Sequence, residues 1–354
     1  MSPRALAVLV VLLVALGGGA LLVYQQQRAQ KPAAAGTLGQ PVLKNLKAAD
    51  IAALSIRAPG ATLTLAQKDG RWTITERDGF PADFDKVHGF VLKALELRIG
   101  QAEPIGEKDR ARLQLDDSGT AVEFRGADGK PLARLTVGRK VFKREPENPE
   151  KAAADGRFVL VAGDEKSAYV VADPLAQATA KTSEWVSRRG IAAEKVKSVE
   201  VALASGESWK IERSGDNADW KLAGLKAGEK LEVTRANSAA YSLSLLELAD
   251  VAPAEAKDTG LDKPATLIAH TFDGLTYTLK IGKAEGDNYY VTISLAGEAK
   301  PEGKDAEERA KKLAERLPRE RALAGHTLLI AKSKLEDLLK KRAELLERKE
   351  EAKK

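Results

Sequence analysis

The chain has 354 residues, 57 basic and 51 acidic, with three histidines and no cysteine. Lacking a thiol, it offers no disulfide, no thiol nucleophile, no zinc–thiolate site and no lipoprotein acylation site. Its charges are interspersed, so the net charge of +6 reads as a solvated surface, and nucleic acid is not an expected partner.

Residues 5–23 carry no charge. Nineteen residues in a helix span about 28 Å, close to the hydrocarbon thickness of a bilayer. Gly17-Gly18-Gly19-Ala20 is followed by more Leu and Val rather than by a polar mature start. An uncleaved anchor over residues 1–24 is therefore expected, not a signal peptide. The short flank before it and the long chain after it place the bulk outside, facing the periplasm or extracytoplasmic side of a single-pass inner (cytoplasmic) membrane protein. Residues 25–45, rich in Ala, Gln, Gly and Pro at their start, read as a linker.

A first unit is expected over residues 46–190. Short apolar runs at 51–56 and 61–65 are broken by Pro59-Gly60, and Asp69-Gly70 leads into Trp72-Thr73-Ile74. Such punctuation predicts a meander of antiparallel strands. Asp83 then reads as an N-cap, with Phe84, Val87, Val91, Leu92 and Leu95 as the apolar stripe of a helix. Strands follow at 121–124, 132–137, 158–161 and 168–171. The second unit, residues 191–348, repeats the order. Its strands are expected at 199–203, 208–212, 220–222, 266–272, 276–281, 289–293 and 327–330, with a helix over 234–248. A closing amphipathic helix is expected over residues 334–350, corresponding to 174–188 in the first unit, with 349–354 as a tail.

The repetition is also visible in the residues. Trp72 pairs with Trp220, Leu113-Gln114-Leu115-Asp116 with Thr259-Gly260-Leu261-Asp262, and Asp128-Gly129 with Asp273-Gly274. Leu135-Thr136-Val137-Gly138 pairs with Leu279-Lys280-Ile281-Gly282. A near-constant offset over this length is an internal repeat. The expected fold is therefore α+β: an N-terminal transmembrane helix, then two tandem repeated units of antiparallel strands with packed helices. Two inserts break the repeat, residues 143–155 in the first unit and 298–325 in the second. The latter is rich in Lys, Glu and Ala, with a solvated helix expected over 305–317.

Chemistry is harder to find. His88, His270 and His326 are too scattered for a metal cluster and read as structural. No hydrolase elbow, zincin helix or P-loop occurs. Asp83 and Asp85 fit a helix start, and Asp116-Asp117 a turn, better than a glycosidase pair. No catalytic residue, cofactor or metal is expected. Trp72 and Trp220 read as core anchors. Tyr289 and Tyr290 alternate across a strand, so one ring faces out. Leu335, Leu338, Leu339 and Leu346 form a narrow stripe that either docks on the second unit or pairs with a partner helix. Tyr289, Tyr290, Leu335, Leu338 and Leu339 are thus the candidate partner contacts.

Taken together, the anchor, Trp72-Thr73-Ile74, Pro81-Ala82-Asp83, Gly260-Leu261-Asp262-Lys263-Pro264, Phe272-Asp273-Gly274, Leu279-Lys280-Ile281-Gly282 and Tyr289-Tyr290-Val291 resemble the bacterial family called domain of unknown function 4340. The first unit departs from its Gly-Leu-Asp-x-Pro pattern at Gln114-Leu115-Asp116-Asp117. The resemblance implies a membrane-anchored companion of ABC-type export systems similar to those of gliding motility. An ABC transporter permease or auxiliary subunit is then the expected partner, and the role a non-enzymatic accessory or scaffold. The alternative is an envelope polysaccharide-binding or processing protein.

Overall fold

The computed structural model describes residues 37–347. The expected anchor, the first part of the linker and the tail lie outside the described residues. Among those described, no helix is long and apolar enough to cross a membrane. The chain divides into two compact units of mixed helix and mostly antiparallel sheet. One runs to Ala66 and resumes at Lys86–Ala180; the other combines Gln67–Asp85 with the chain from Lys181 onward. The division thus falls ten residues before the expected boundary at 190/191 and assigns the Trp72 segment to the second unit.

The first hairpin joins β1 (Ala53–Ala58) to β2 (Ala61–Lys68) through Gly60, whose φ of 76° suits the tight turn. Next come β3 (Arg71–Ile74) and β4 (Phe80–Pro81), which pair with each other. Helix α1 (Phe84–Glu96) starts where expected, with the Asp85 N–H donating to the Asp83 carboxylate at 3.1 Å. Its buried stripe is Val87, Phe90, Val91 and Ala94, and the Phe90 ring stacks on Phe124 at 6.5 Å. After β5 (Gln101–Pro104) and the short α2 (Glu107–Arg112) come β6 (Thr120–Arg125), β7 (Pro131–Val141), β8 (Gly156–Val161) and β9 (Asp164–Val171). The strands of this unit lie in the order β2-β1-β6-β7-β8-β9-β5.

The second unit contains β10 (Arg189–Ile191), β11 (Val196–Ala202), β12 (Ser208–Glu212) and β13 (Lys221–Leu222), followed by α3 (Val233–Tyr241). Next are β14 (Leu246–Glu247), β15 (Asp250–Val251), β16 (Ala265–Thr271), β17 (Thr276–Glu285) and β18 (Asn288–Ala296). Helix α4 (Ala306–Arg321), β19 (Leu328–Ala331) and the single turn α5 (Lys332–Leu335) complete it. Here the order is β12-β11-β16-β17-β18-β19-β15, strand for strand that of the first unit, with β13 outside β12. In β16, Ala265, Leu267, Ala269 and Thr271 alternate inward, the period-two pattern of a sheet with one packed face. Trp72 lies in β3 and Trp220 immediately precedes β13; both are buried, at 8% and 6% exposed.

One close backbone approach recurs in both units. In β7 and β8 the register passes from Val137↔Val159 to Lys140↔Arg157, which leaves one extra residue on β7. In β17 and β18 it passes from Ile281↔Val291 to Ala284↔Tyr289. Within each bulge a glycine lets a loop carbonyl against the strand. Arg139 N–H donates to Leu113 O at 2.8 Å, and Lys283 N–H to Thr259 O at 2.7 Å. A Cβ on Gly138 would stand 2.4 Å from Leu113 O, and one on Gly282 2.1 Å from Thr259 O. The next loop residue has positive φ in both, 56° at Gln114 and 71° at Gly260. The Gly-Leu-Asp pattern is therefore a backbone requirement, which the first unit meets with a strained Gln.

The terminal helix expected over residues 334–350 is corrected. Helix stops at Leu335, and Arg342–Leu345 forms a 3-10 turn. Residues 174–188 likewise hold no α-helix, only the 3-10 turn Thr182–Glu184. Tertiary contacts break the terminal segment. Trp209 Nε1–H donates to Lys340 O at 2.7 Å, and Arg342 clamps Glu229 at 2.6 Å, so that Leu335, Leu338 and Leu345 all turn inward. A continuous helix would have placed Leu346, not Leu345, on that stripe.

Two outcomes are expected. Gly282→Ala should cost about 2 kcal/mol or more by overpacking, whereas Gln114→Gly should be neutral or stabilising within about 1 kcal/mol by relieving the left-handed backbone; urea unfolding measures both. Hydrogen bonds from Arg342 and from the Lys226 N–H hold the Glu229 carboxyl at about 2, below its ordinary 4.5. A depressed folded value means this contact is fully present above pH 4.5 and lost as pH falls toward 2. Carboxyl NMR should show the titration, and Glu229→Gln should remove that part of the acid sensitivity.

Candidate functional site

The repeated bulge opens a cleft in each unit. The first, about 730 Å³, is lined by Gln114, Arg139, Lys140, Phe142, Arg157 and Phe158, with residues of the 143–155 insert as the opposite wall. The second, about 550 Å³, is lined by Gly260, Lys283 and Tyr289 at the positions of Gln114, Arg139 and Arg157, with Gly282, Asp258, Asp262, Lys263 and Leu339 around them. Both volumes fall within the range of small-molecule sites. In the second cleft Lys283 Nζ lies 3.3 Å from Asp258 Oδ1. Both groups are exposed there, so the pair adds little stability.

Two of the expected contact residues meet in this second cleft: Tyr289, half-buried on β18, and Leu339. Tyr290, also half-buried, lies beside it on the strand without lining the cleft. Leu335 and Leu338 are corrected. Both are fully buried in the second unit, so neither side chain reaches a partner, and the docking alternative accounts for them. Trp220 is unavailable as a flat platform: Arg213 lies 4.8 Å over its ring and its Nε1–H donates to Asn237 Oδ1 at 3.0 Å.

The second feature is the insert that carries α4. The expected helix ended before Pro318, but α4 continues to Arg321 because its last turn is held from several sides. Glu320 is fully buried. Its carboxylate accepts from the Ala192 N–H at 2.9 Å and the Tyr277 hydroxyl at 2.9 Å, and lies 3.0 Å from Arg316 Nε. Arg316 in turn meets Glu194 at 3.0 Å. Burial pushes the Glu320 carboxyl up against these partners, and burial together with the Glu320 charge pushes the Tyr277 phenol up. At the other end Arg309 pairs with Asp273, a hairpin residue only 4% exposed, while its counterpart Asp128 is an exposed partner of Lys130. Positions 309, 313, 316, 317 and 320 thus form the inward stripe, at helical spacing. Glu307, Glu308, Lys311, Lys312 and Glu315 are left exposed on the other side.

The histidines do not converge. His88 and His270 are exposed, and His326 sits edge-on against Phe80 at 5.1 Å. No group of three metal-ligating side chains occurs among the described residues. The Asp116 carboxylate takes the Ser118 N–H and hydroxyl, at 3.0 and 2.5 Å, as a turn residue does.

The fold and its clefts thus define a doubled α+β sheet protein. The chain matches the family described as Domain of unknown function (DUF4340) over residues 72–264, more than half of its length, and belongs to that family. No curated protein and no solved structure matches it.

Removing the Glu320 carboxylate should show what holds α4. Glu320→Ala is expected to cost about 3–5 kcal/mol, because guanidinium charge and the Ala192 N–H lose their acceptor. Glu320→Gln, which keeps an acceptor, should cost less. Thermal and urea unfolding of the two variants checks the order.

Proposed function

We propose that this chain is a non-enzymatic, membrane-tethered extracytoplasmic scaffold, built of two tandem copies of one α+β unit, that binds a subunit of an ABC-type export system. The uncharged run at residues 5–23 supports the tether. The observation that carries the binding role is α4, an element present in only one copy. Buried carboxylates and guanidinium groups clamp its inner face, while its outer face leaves Glu307, Glu308, Lys311, Lys312 and Glu315 exposed, with Lys312 paired to Glu308 at 2.7 Å. Burying charge is costly, so a helix held in this way has a rigid outer surface, which suits recognition through complementary charge. A second reading, an envelope polysaccharide-binding protein, draws on Tyr289 beside Asp258 and Asp262 in the second cleft, since an aromatic ring next to carboxylates suits a sugar.

The test is crosslinking and affinity purification of the full chain from its native membrane, with mass spectrometry of what accompanies it. An ABC permease or auxiliary subunit should be recovered. Recovery should fall about tenfold when Glu307, Glu308, Lys311 and Lys312 are reversed in charge, with the melting temperature unchanged. Absence of any transporter subunit would sink the scaffold reading. Retention of the chain on envelope polysaccharide, lost in Tyr289→Ala, would favour the second.

A further inference from the structure

The two clefts share a backbone but differ in side chains, so each serves as a control for the other. Where the first unit has Lys140 and Arg157 facing each other across β7 and β8, the second has Ala284 and Tyr289. The bulge therefore does not require cations. Arg157 is half-buried, and its guanidinium donates to two carbonyls, Pro174 O at 2.9 Å and Gly138 O at 2.8 Å. Lys140 Nζ donates to Pro149 O, Glu150 O and Ala152 O at 3.2, 2.7 and 2.9 Å, which ties the insert to the strand. Arg139, the third cation, is exposed. Among the described residues no carboxylate lies within ion-pair distance of any of the three.

Carbonyl dipoles orient these cations without cancelling their charge. Withdrawing an uncancelled cation from water is unfavourable, and burial already lowers the affinity of Arg157 for its proton. Among other half-buried guanidinium groups, Arg316 and Arg342 have carboxylate partners, whereas Arg77, like Arg157, donates to carbonyls but faces no such cleft. Arg157 is left to face a cleft whose remaining wall includes two half-buried phenyl rings, Phe142 and Phe158. The acidic lining residues, Glu145 and Glu150, are exposed members of the insert.

We propose that the first-unit cleft binds a small organic anion, its phosphoryl or carboxylate head on Arg157 and Arg139 and its apolar body against Phe142 and Phe158. A guanidinium fork matches such an oxyanion in geometry and charge. Lys140 acts as a positioning residue, since its three carbonyl bonds hold the insert that forms the wall. This site is independent of the α4 surface and of the transporter reading.

Calorimetric titration of the full chain in detergent at low salt, with phenyl phosphate, benzoate, inorganic phosphate and benzyl alcohol, tests the site. Saturable one-to-one binding of phenyl phosphate or benzoate is expected, tighter than that of inorganic phosphate, with none of the neutral alcohol. Phenyl phosphate binding above benzoate would assign the phosphoryl head, and the reverse the carboxylate. Arg139→Gln, at an exposed position, and Arg157→Gln should each weaken it about tenfold or more, while Lys283→Gln in the second cleft should leave it unchanged. No saturable binding of either organic anion, or binding equal in wild type and Arg139→Gln, overturns the proposal. So does binding lost equally in Lys283→Gln.

Discussion

The structure depends on one close approach, a loop carbonyl pressed onto a strand at a glycine. In each unit the second strand of the central hairpin, β7 or β17, carries an extra residue, and the glycine in that bulge admits the carbonyl of the loop before that hairpin. No other residue type fits, because a Cβ would overlap the oxygen. The contact sets the path of the loop through Leu113-Gln114-Leu115 and Thr259-Gly260-Leu261, and that loop forms one wall of each cleft. The most recognisable motif of the chain is therefore a device of backbone packing whose by-product is a pocket.

Around this shared frame the two units differ in side chains and inserts. The first placed cations at Lys140 and Arg157 and closed its cleft with residues 143–155. The second placed Ala284 and Tyr289 there and spent its insertion elsewhere, on a helix. Asp273 shows how far the change reaches. At the hairpin turn it holds the same place as Asp128, yet it is buried beneath α4 and paired with Arg309. An identical Asp-Gly turn thus serves a solvated corner in one unit and an anchoring point in the other.

Local signals in the sequence specify some elements of the fold and not others. The strands and hairpins are specified, because alternation and Gly-rich turns are local signals: β12 (Ser208–Glu212) falls where the pattern put it. The start of α1 was legible from Asp83, whose carboxylate takes the Asp85 N–H. The terminal helix expected from the leucine stripe does not form because a broken path satisfies that stripe equally, and Trp209, Glu207 and Glu229 pull Lys340 and Arg342 onto that path. Of the candidate site, Tyr289 was singled out. Arg139, Lys140 and Arg157 are indistinguishable in sequence among many interspersed charges, since lacking a carboxylate partner is a property of space and leaves no mark on spacing.

By itself the sequence determined what local chemistry and periodicity can carry: an α+β class, a repeated strand order, the turns, the helix start at Asp83 and an uncharged run near the amino terminus. Only the tertiary structure decided which charges are paired and which face a cleft, that α4 runs through Pro318, and that Leu335 and Leu338 belong to the core. The physical reason is that burial and ion pairing are set by contacts between segments far apart in the chain. Glu320 is an exposed-looking residue in a charged helix until Tyr277 and Ala192 are brought against it.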